Sequence, residues 1–171
     1  MRESTNSATH ANYLTVKLHW SGPYTVDQVD ENQDGKGLYL FAGKKKYGRT
    51  KEILYCGITE RKFKTRFREH HKLPLVSREL EIWLGKIEYP NGFHREHLEI
   101  AESIIIYFWQ PVLNDRKKYS PPRPTTLISH WFKQDGTPRI YQRTIYKDLH
   151  DVLSWDGKLW RTGNLSVYGD A

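Results

Sequence analysis

The sequence predicts an α/β (α+β) fold: a small three-stranded antiparallel sheet flanked by helices, with an N-terminal strand and a β-rich C-terminal extension. Three observations carry this expectation. Two short apolar runs, GLYLF at 37–41 and ILYCG at 53–57, are joined by the basic turn GKKKYGRTK, the pattern of a hairpin. A third run, ELEIWLGKIEY at 79–89, alternates Leu80, Ile82 and Leu84 with other positions, as a half-buried strand does. REHLEIAESIIIYFW at 95–109 has helical length and periodicity and is followed by Pro111.

Ahead of these, YLTVKLHW at 13–20 alternates Leu14, Val16, Leu18 and Trp20 with polar residues, which predicts a strand ended by Gly22-Pro23. The acidic stretch DQVDENQDG, 27–35, reads as loop. After the hairpin, Thr59 is placed to cap a helix over ERKFKTRFREHH, with Phe63 and Phe67 facing inward four residues apart. Arg66 and His70 share that spacing on an adjacent face, and Pro74 stops the helix. RKKYSPPRP, 116–124, reads as a linker or extended arm, and the Asp-Gly turns in HWFKQDGTPRIY and SWDGKLWR each predict a hairpin. The chain thus divides into an N-terminal extension, 1–35, a central unit, 36–115, and a linker with a C-terminal extension, 116–171.

With 171 residues, 37% hydrophobic and 27% charged, the chain has the makeup of one folded domain rather than of a disordered segment. It has no apolar run near the roughly 20 residues needed to span a bilayer, and its start, MRESTNSATHAN, lacks the apolar core of a signal peptide. The expectation is a cytoplasmic protein with no membrane partner. The single cysteine, Cys56, excludes an internal disulfide and a Cys-rich zinc site, and its strand context predicts a small buried residue. The formal charge of +7 is concentrated: residues 36–72 hold twelve Lys or Arg against three acids. A focused basic region beside aromatic residues is the footprint of a polyanion binder, and a solvated charged face is the plainer alternative.

Glu102 is the most informative residue of the 95–109 helix. Leu98, Glu102, Ile105 and Trp109 lie at i, i+4, i+7 and i+11, so the carboxylate falls in the apolar stripe. A carboxylate there requires a cation, an ion pair or a metal, because burying it alone costs several kcal/mol. Glutamate oxygens suit Mg²⁺, which is held by one or two carboxylates and keeps its waters for substrate phosphates. His94 with His97, and His70 with His71, make weak metal pairs.

Taken in order, these features resemble the GIY-YIG nuclease superfamily, and most of all its compact type II restriction endonucleases. The matching positions are Gly37 and Tyr39 in GLY, Tyr55 and Gly57 in YCG, then Arg66, His70, Glu102 and Asn114, spanning about residues 36–115. Cys56 stands where the family has an aliphatic residue, and Arg68 is an alternative to Arg66 one helix phase away. The resemblance implies metal-dependent hydrolysis of phosphodiesters in double-stranded DNA, with Mg²⁺, or Mn²⁺ in its place, on Glu102. It implies that Tyr39 acts as or relays to the general base, that Arg66 neutralises the phosphorane, that Tyr55 and His70 hydrogen-bond phosphate or water, and that Asn114 supports the site. Gly37 and Gly57 would permit close approach. Lys44, Lys45, Lys46, Arg49 and Lys51 would form a phosphate-contacting edge, and Trp131, Trp155 and Trp160 either stack on bases or make a minicore. A homodimer would suit a double-strand cut at a palindrome. The alternatives are a mobile-element or repair nuclease of the family, a nucleic-acid binding module without turnover, and an RNA substrate.

Overall fold

The computed structural model describes residues 13–29, 35–76, 78–139 and 149–165. Its strands are β1 (Leu14–Tyr24), β2 (Gly37–Lys44), β3 (Glu52–Thr59), β4 (Arg78–Tyr89), β5 (Thr125–Phe132), β6 (Val152–Trp155) and β7 (Trp160–Gly163). All seven join one sheet in the order β3-β2-β4-β1-β5-β6-β7, antiparallel throughout except for the parallel β1–β5 pair. The α-helices are α1 (Phe63–Arg68) and α2 (Arg95–Trp109).

This corrects the expected fold class. Across the described residues the protein is mostly β, a seven-stranded mixed sheet with two α-helices, not a three-stranded sheet flanked by helices. The expected trio β3-β2-β4 is present, but β4 has a second neighbour. The alternation that buries Val16, Leu18 and Trp20 makes β1 an interior strand, paired with β4 on one side and β5 on the other. β5 has the same alternation, burying Thr125, Leu127, Ser129 and Trp131; the hairpin expected at 130–141 takes in only its last residues, and the strand starts earlier, at Thr125. Trp20 Nε1 donates to Ser129 Oγ at 3.1 Å, tying the two strands inside the core.

Several boundaries also move. β1 runs through Gly22-Pro23 to Tyr24, because a register shift against β4 accommodates a proline that has no N–H for the ladder. α1 is shorter than the pattern over 60–71. Thr59 does not cap it; its hydroxyl accepts from the Arg61 N–H at 3.0 Å, at the end of β3. α2 begins with reciprocal capping between His94 and His97, whose Nδ1 accepts from the His94 N–H at 2.9 Å. The helix start thus accounts for that histidine pair.

Alternation along the strands separates two apolar faces. Val16, Leu18, Trp20, Leu38, Leu40, Cys56 and Trp83 face α2, meeting Leu98, Ala101, Ile104 and Ile105. Tyr39, Phe41, Ile82 and Leu84 face the other way and are covered by Phe63 and Phe67 of α1. Trp131 packs on Trp20 and Trp83 within the main core, whereas Trp155 and Trp160 pack on each other and on Tyr107 and Phe108 at the end of α2. The β6–β7 hairpin turns at Asp156-Gly157, where Gly157 has a φ of 96°. The other Asp-Gly turn closes with Lys133 N–H on Thr137 O, while residues 140 and 141 of that expected hairpin lie outside the described residues, as do 1–12 and 30–34. Among the described residues no helix is long and apolar enough to cross a membrane.

Candidate functional site

β3 is an edge strand, and the chain leaving α2 covers part of that edge. The Leu113 N–H donates to Leu54 O at 2.9 Å. The Asn114 side chain then does what a neighbouring strand would do: its Oδ1 accepts from the Cys56 N–H at 2.9 Å and its Nδ2 donates to Cys56 O at 2.8 Å. Cys56 itself is buried, and burial pushes its thiol up, as suits a small core residue. Beyond Asn114 the strap 115–117 stands off the edge and leaves a cleft of about 510 Å³, lined by Tyr39, Tyr55, Arg66, Glu102 and Asn114 among others. Side chains from β2, β3, α1, α2 and the strap therefore converge where the sheet ends.

Tyr39 forms the floor of this cleft. It faces Gly57 across the β2–β3 ladder, and its ring lies 6.0 Å from that of Tyr55. A Cβ on Gly57 would sit 2.5 Å from the Tyr39 ring carbon Cζ and from its hydroxyl, so only glycine leaves room for the phenol there. A Cβ on Gly37 would sit 2.2 Å from Gly85 O, so that glycine sets how closely β2 approaches β4.

The Tyr39 oxygen is held by two donors. Arg66 Nε donates to it at 3.1 Å, and His70 Nε2 lies 2.9 Å away. The Lys72 N–H donates to His70 Nδ1 at 3.2 Å, which makes Nδ1 the acceptor nitrogen and places the ring proton on Nε2, pointing at Tyr39. With both lone-pair directions taken, the Tyr39 proton points away from Arg66 and His70, and Tyr55 lies near enough to both Tyr39 and Arg66 to act on them electrostatically. Burial pushes the Tyr39 hydroxyl well above its ordinary value, Tyr55 adds to the rise and Arg66 opposes it. Burial also raises Tyr55, and the neighbouring Tyr39 opposes the rise. His70 is pulled down to about 4, first by burial and then by Arg66, His71 and Lys72, so it is neutral at physiological pH.

Glu102 lines the opposite wall. Its side chain is 13% exposed and pairs with Lys117 Nζ at 2.5 Å. Burial raises this carboxyl and Lys117 holds it down. Among the described residues there is no group of three or more metal-ligating side chains; the carboxylates lining the cleft are Glu102, Glu99, which pairs with Arg95, and Asp115, which pairs with Lys72. That set fits a hydrated divalent ion completed by water and phosphate oxygens, and it does not fit zinc, which takes three or four protein ligands.

The structure brings Tyr39, Tyr55, Arg66, Glu102 and Asn114 to one cleft, with His70 bound to its floor. It leaves the basic hairpin at the far end of β2 and β3. There Lys44 pairs with Glu79 at 2.6 Å, Lys45 with Glu52 at 2.9 Å and Lys51 with Glu81, while Lys46 lies over the Tyr47 ring and Arg49 is exposed. Much of that charge is therefore neutralised within the sheet. The cations beside the cleft are Lys72, Arg95, Arg116 and Lys117. Three of these lie outside the basic segment 36–72, and two of them sit in the run Arg116-Lys117-Lys118, whose Pro-flanked composition is that of a linker. No protein-family model, characterised protein or solved structure matches the chain.

Proposed function

We propose that this protein is a metal-dependent DNA endonuclease, a phosphodiester hydrolase working in the edge cleft. The observation that supports it most is the meeting of a paired-tyrosine floor, an arginine and a buried carboxylate in one cleft, each delivered by a different element. Once the neighbouring Tyr39 and Tyr55 hydroxyls have lost one proton between them, their oxygens share the one that remains and titrate as a unit; this ionised pair takes a proton from the attacking water and returns to two neutral phenols. Arg66 spends one N–H on Tyr39 and has others for the phosphate, where they offset the charge that builds as water adds and the ester oxygen departs. Glu102 is the residue that would hold Mg²⁺, or Mn²⁺ in its place; when bound, the ion polarises the phosphate. His70 fixes the Tyr39 hydroxyl from behind, and Asn114 fixes the strap.

The finer reading is site-specific, restriction-type cleavage of double-stranded DNA by a homodimer in the cytoplasm; it rests on the order and spacing of the motif residues. The test is incubation of the protein and of Glu102→Ala with plasmid, phage DNA and matched RNA duplexes, in Mg²⁺ or EDTA, with sequencing of fragment ends. Mg²⁺-dependent DNA ends sharing one short motif, absent for Glu102→Ala, are expected. Scattered DNA ends would favour a mobile-element or repair nuclease. RNA cleavage would change the substrate, and binding without cleavage would leave a nucleic-acid binding module.

A further inference from the structure

We propose that Lys117 is an internal stand-in for the divalent cation: its ammonium occupies the cation position beside Glu102 until a metal ion displaces it. This rests on the nuclease reading of the same cleft. Nζ lies 2.5 Å from Glu102 Oε2, and the carboxylate is largely buried while the lysine side chain is 34% exposed, so the ammonium closes the pair from the solvent side. Three of the other cations lining the cleft are engaged elsewhere: Arg95 with Glu60 and Glu99, Lys72 with Asp115, and Arg66 with Tyr39.

The strap is built to deliver this one side chain. It is fastened before Lys117 by Leu113 on Leu54 and Asn114 on Cys56, and after it by Gln110 Nε2 on Lys118 O at 2.7 Å. Between these anchors Lys117 has a φ of 67°, a left-handed conformation that non-glycine residues adopt only when their surroundings impose it. The anchors hold the backbone, so the ammonium can leave by rotation of its flexible four-carbon stem. It is a point charge with rotatable donors, whereas an arginine fork would bind the carboxylate in two places and resist displacement. A departing ammonium stays in a cleft that also holds Arg66 and Arg116, where it adds to the charge facing a substrate phosphate.

The consequence is competition: Lys117 weakens metal binding in the absence of DNA. Mn²⁺ binding to the full chain, read by calorimetry and by the loss of the free-ion magnetic resonance signal at pH 8, tests it. Lys117→Met is expected to bind Mn²⁺ on the order of tenfold more tightly than the wild type, and Lys117→Arg more weakly. Glu102→Gln is expected to lose the site. Glu102-dependent binding that is unchanged or weaker in Lys117→Met overturns the proposal alone. Absence of Glu102-dependent binding in every form, together with no DNA cleavage by the wild type, overturns it along with the nuclease reading. If Lys117→Met fails to fold, Lys117→Arg decides, and equal affinity in that variant overturns the proposal.

Discussion

Gly57 lies opposite Tyr39 on the neighbouring strand, so close that a single methyl group at Gly57 would reach 2.5 Å from the phenol oxygen. The nearest atoms are a fully buried ring wedged among Phe41, Phe63, Phe67 and His70, which has nowhere to move. Gly57→Ala is therefore expected to cost about 1–3 kcal/mol of stability by overpacking. Cleavage is expected to fall further than that loss explains, because the displaced oxygen leaves Arg66 and His70. Urea denaturation beside single-turnover rates separates the two effects, and a stable variant with full activity would remove Tyr39 from the site.

Both cleft tyrosines are raised by burial, so the ionised pair is scarce at neutral pH. If this pair takes the proton from water, the single-turnover rate should climb about tenfold per pH unit through the neutral range and keep climbing to pH 9. Tyr39→Phe should flatten the profile and lower the rate. A wild-type rate independent of pH between 6.5 and 9 would show that another group accepts the proton.

His70 is held neutral, with its value pulled down to about 4. In the unfolded chain an ordinary histidine takes up a proton near pH 6.5, whereas the folded protein resists until about 4, so below 6.5 the unfolded state binds more protons. The contribution of His70 is complete above pH 6.5 and is lost as the pH falls toward 4. Thermal unfolding should show the wild-type Tm dropping by roughly 5 °C more than that of His70→Gln between pH 7 and pH 4.5. Parallel curves for the two proteins would contradict this.

Asn114 satisfies both backbone groups of Cys56 with one side chain. Asn114→Ala leaves a buried N–H and C=O unpaired, at a cost of about 1–3 kcal/mol. Asn114→Asp can still accept from the N–H but cannot donate to the carbonyl, so it should also be destabilising. Amide hydrogen exchange at Cys56 reports the loss directly: faster exchange in Asn114→Ala is expected, and an unchanged rate would mean that another group covers the edge.

How legible the molecule is from its sequence depends on the range of each interaction. The α2 boundaries at Arg95 and Trp109 follow from local periodicity and a proline, and the β2–β3 hairpin follows from two apolar runs with a turn between them. The same alternation that marks β1 does not say what lies beside it, since the β5 partner begins at Thr125 and runs parallel. For the same reason the Thr125–Phe132 pattern is present in the sequence without announcing its role. At the cleft, helix periodicity alone marks Glu102, while Tyr39, Arg66 and His70 stand out in the sequence only through the family resemblance. The Lys117 partnership stays hidden, because a lysine in a Pro-flanked basic run has the composition of a linker. The lysines of the hairpin tip mislead in the opposite direction: their partners Glu79 and Glu81 belong to β4 and are brought alongside only by strand pairing.

The parallel ladder between β1 and β5 joins Leu14 to Thr125, more than a hundred residues apart. A ribosome releases β1 long before either of its neighbours exists, and the first of these to appear is β4. Everything that builds the cleft, from Tyr39 to Lys117, emerges in between, and its longest anchors, Leu113 on Leu54 and Asn114 on Cys56, span about half the sequence distance of that ladder. The site can thus be assembled as a local unit, while insertion of β1 between β4 and β5 waits for a long loop to close. Folding speed should be set by that late step, and variants that weaken the β1–β5 seam, such as Ser129→Ala beneath Trp20, should slow maturation of the sheet more than they alter the chemistry at its opposite edge.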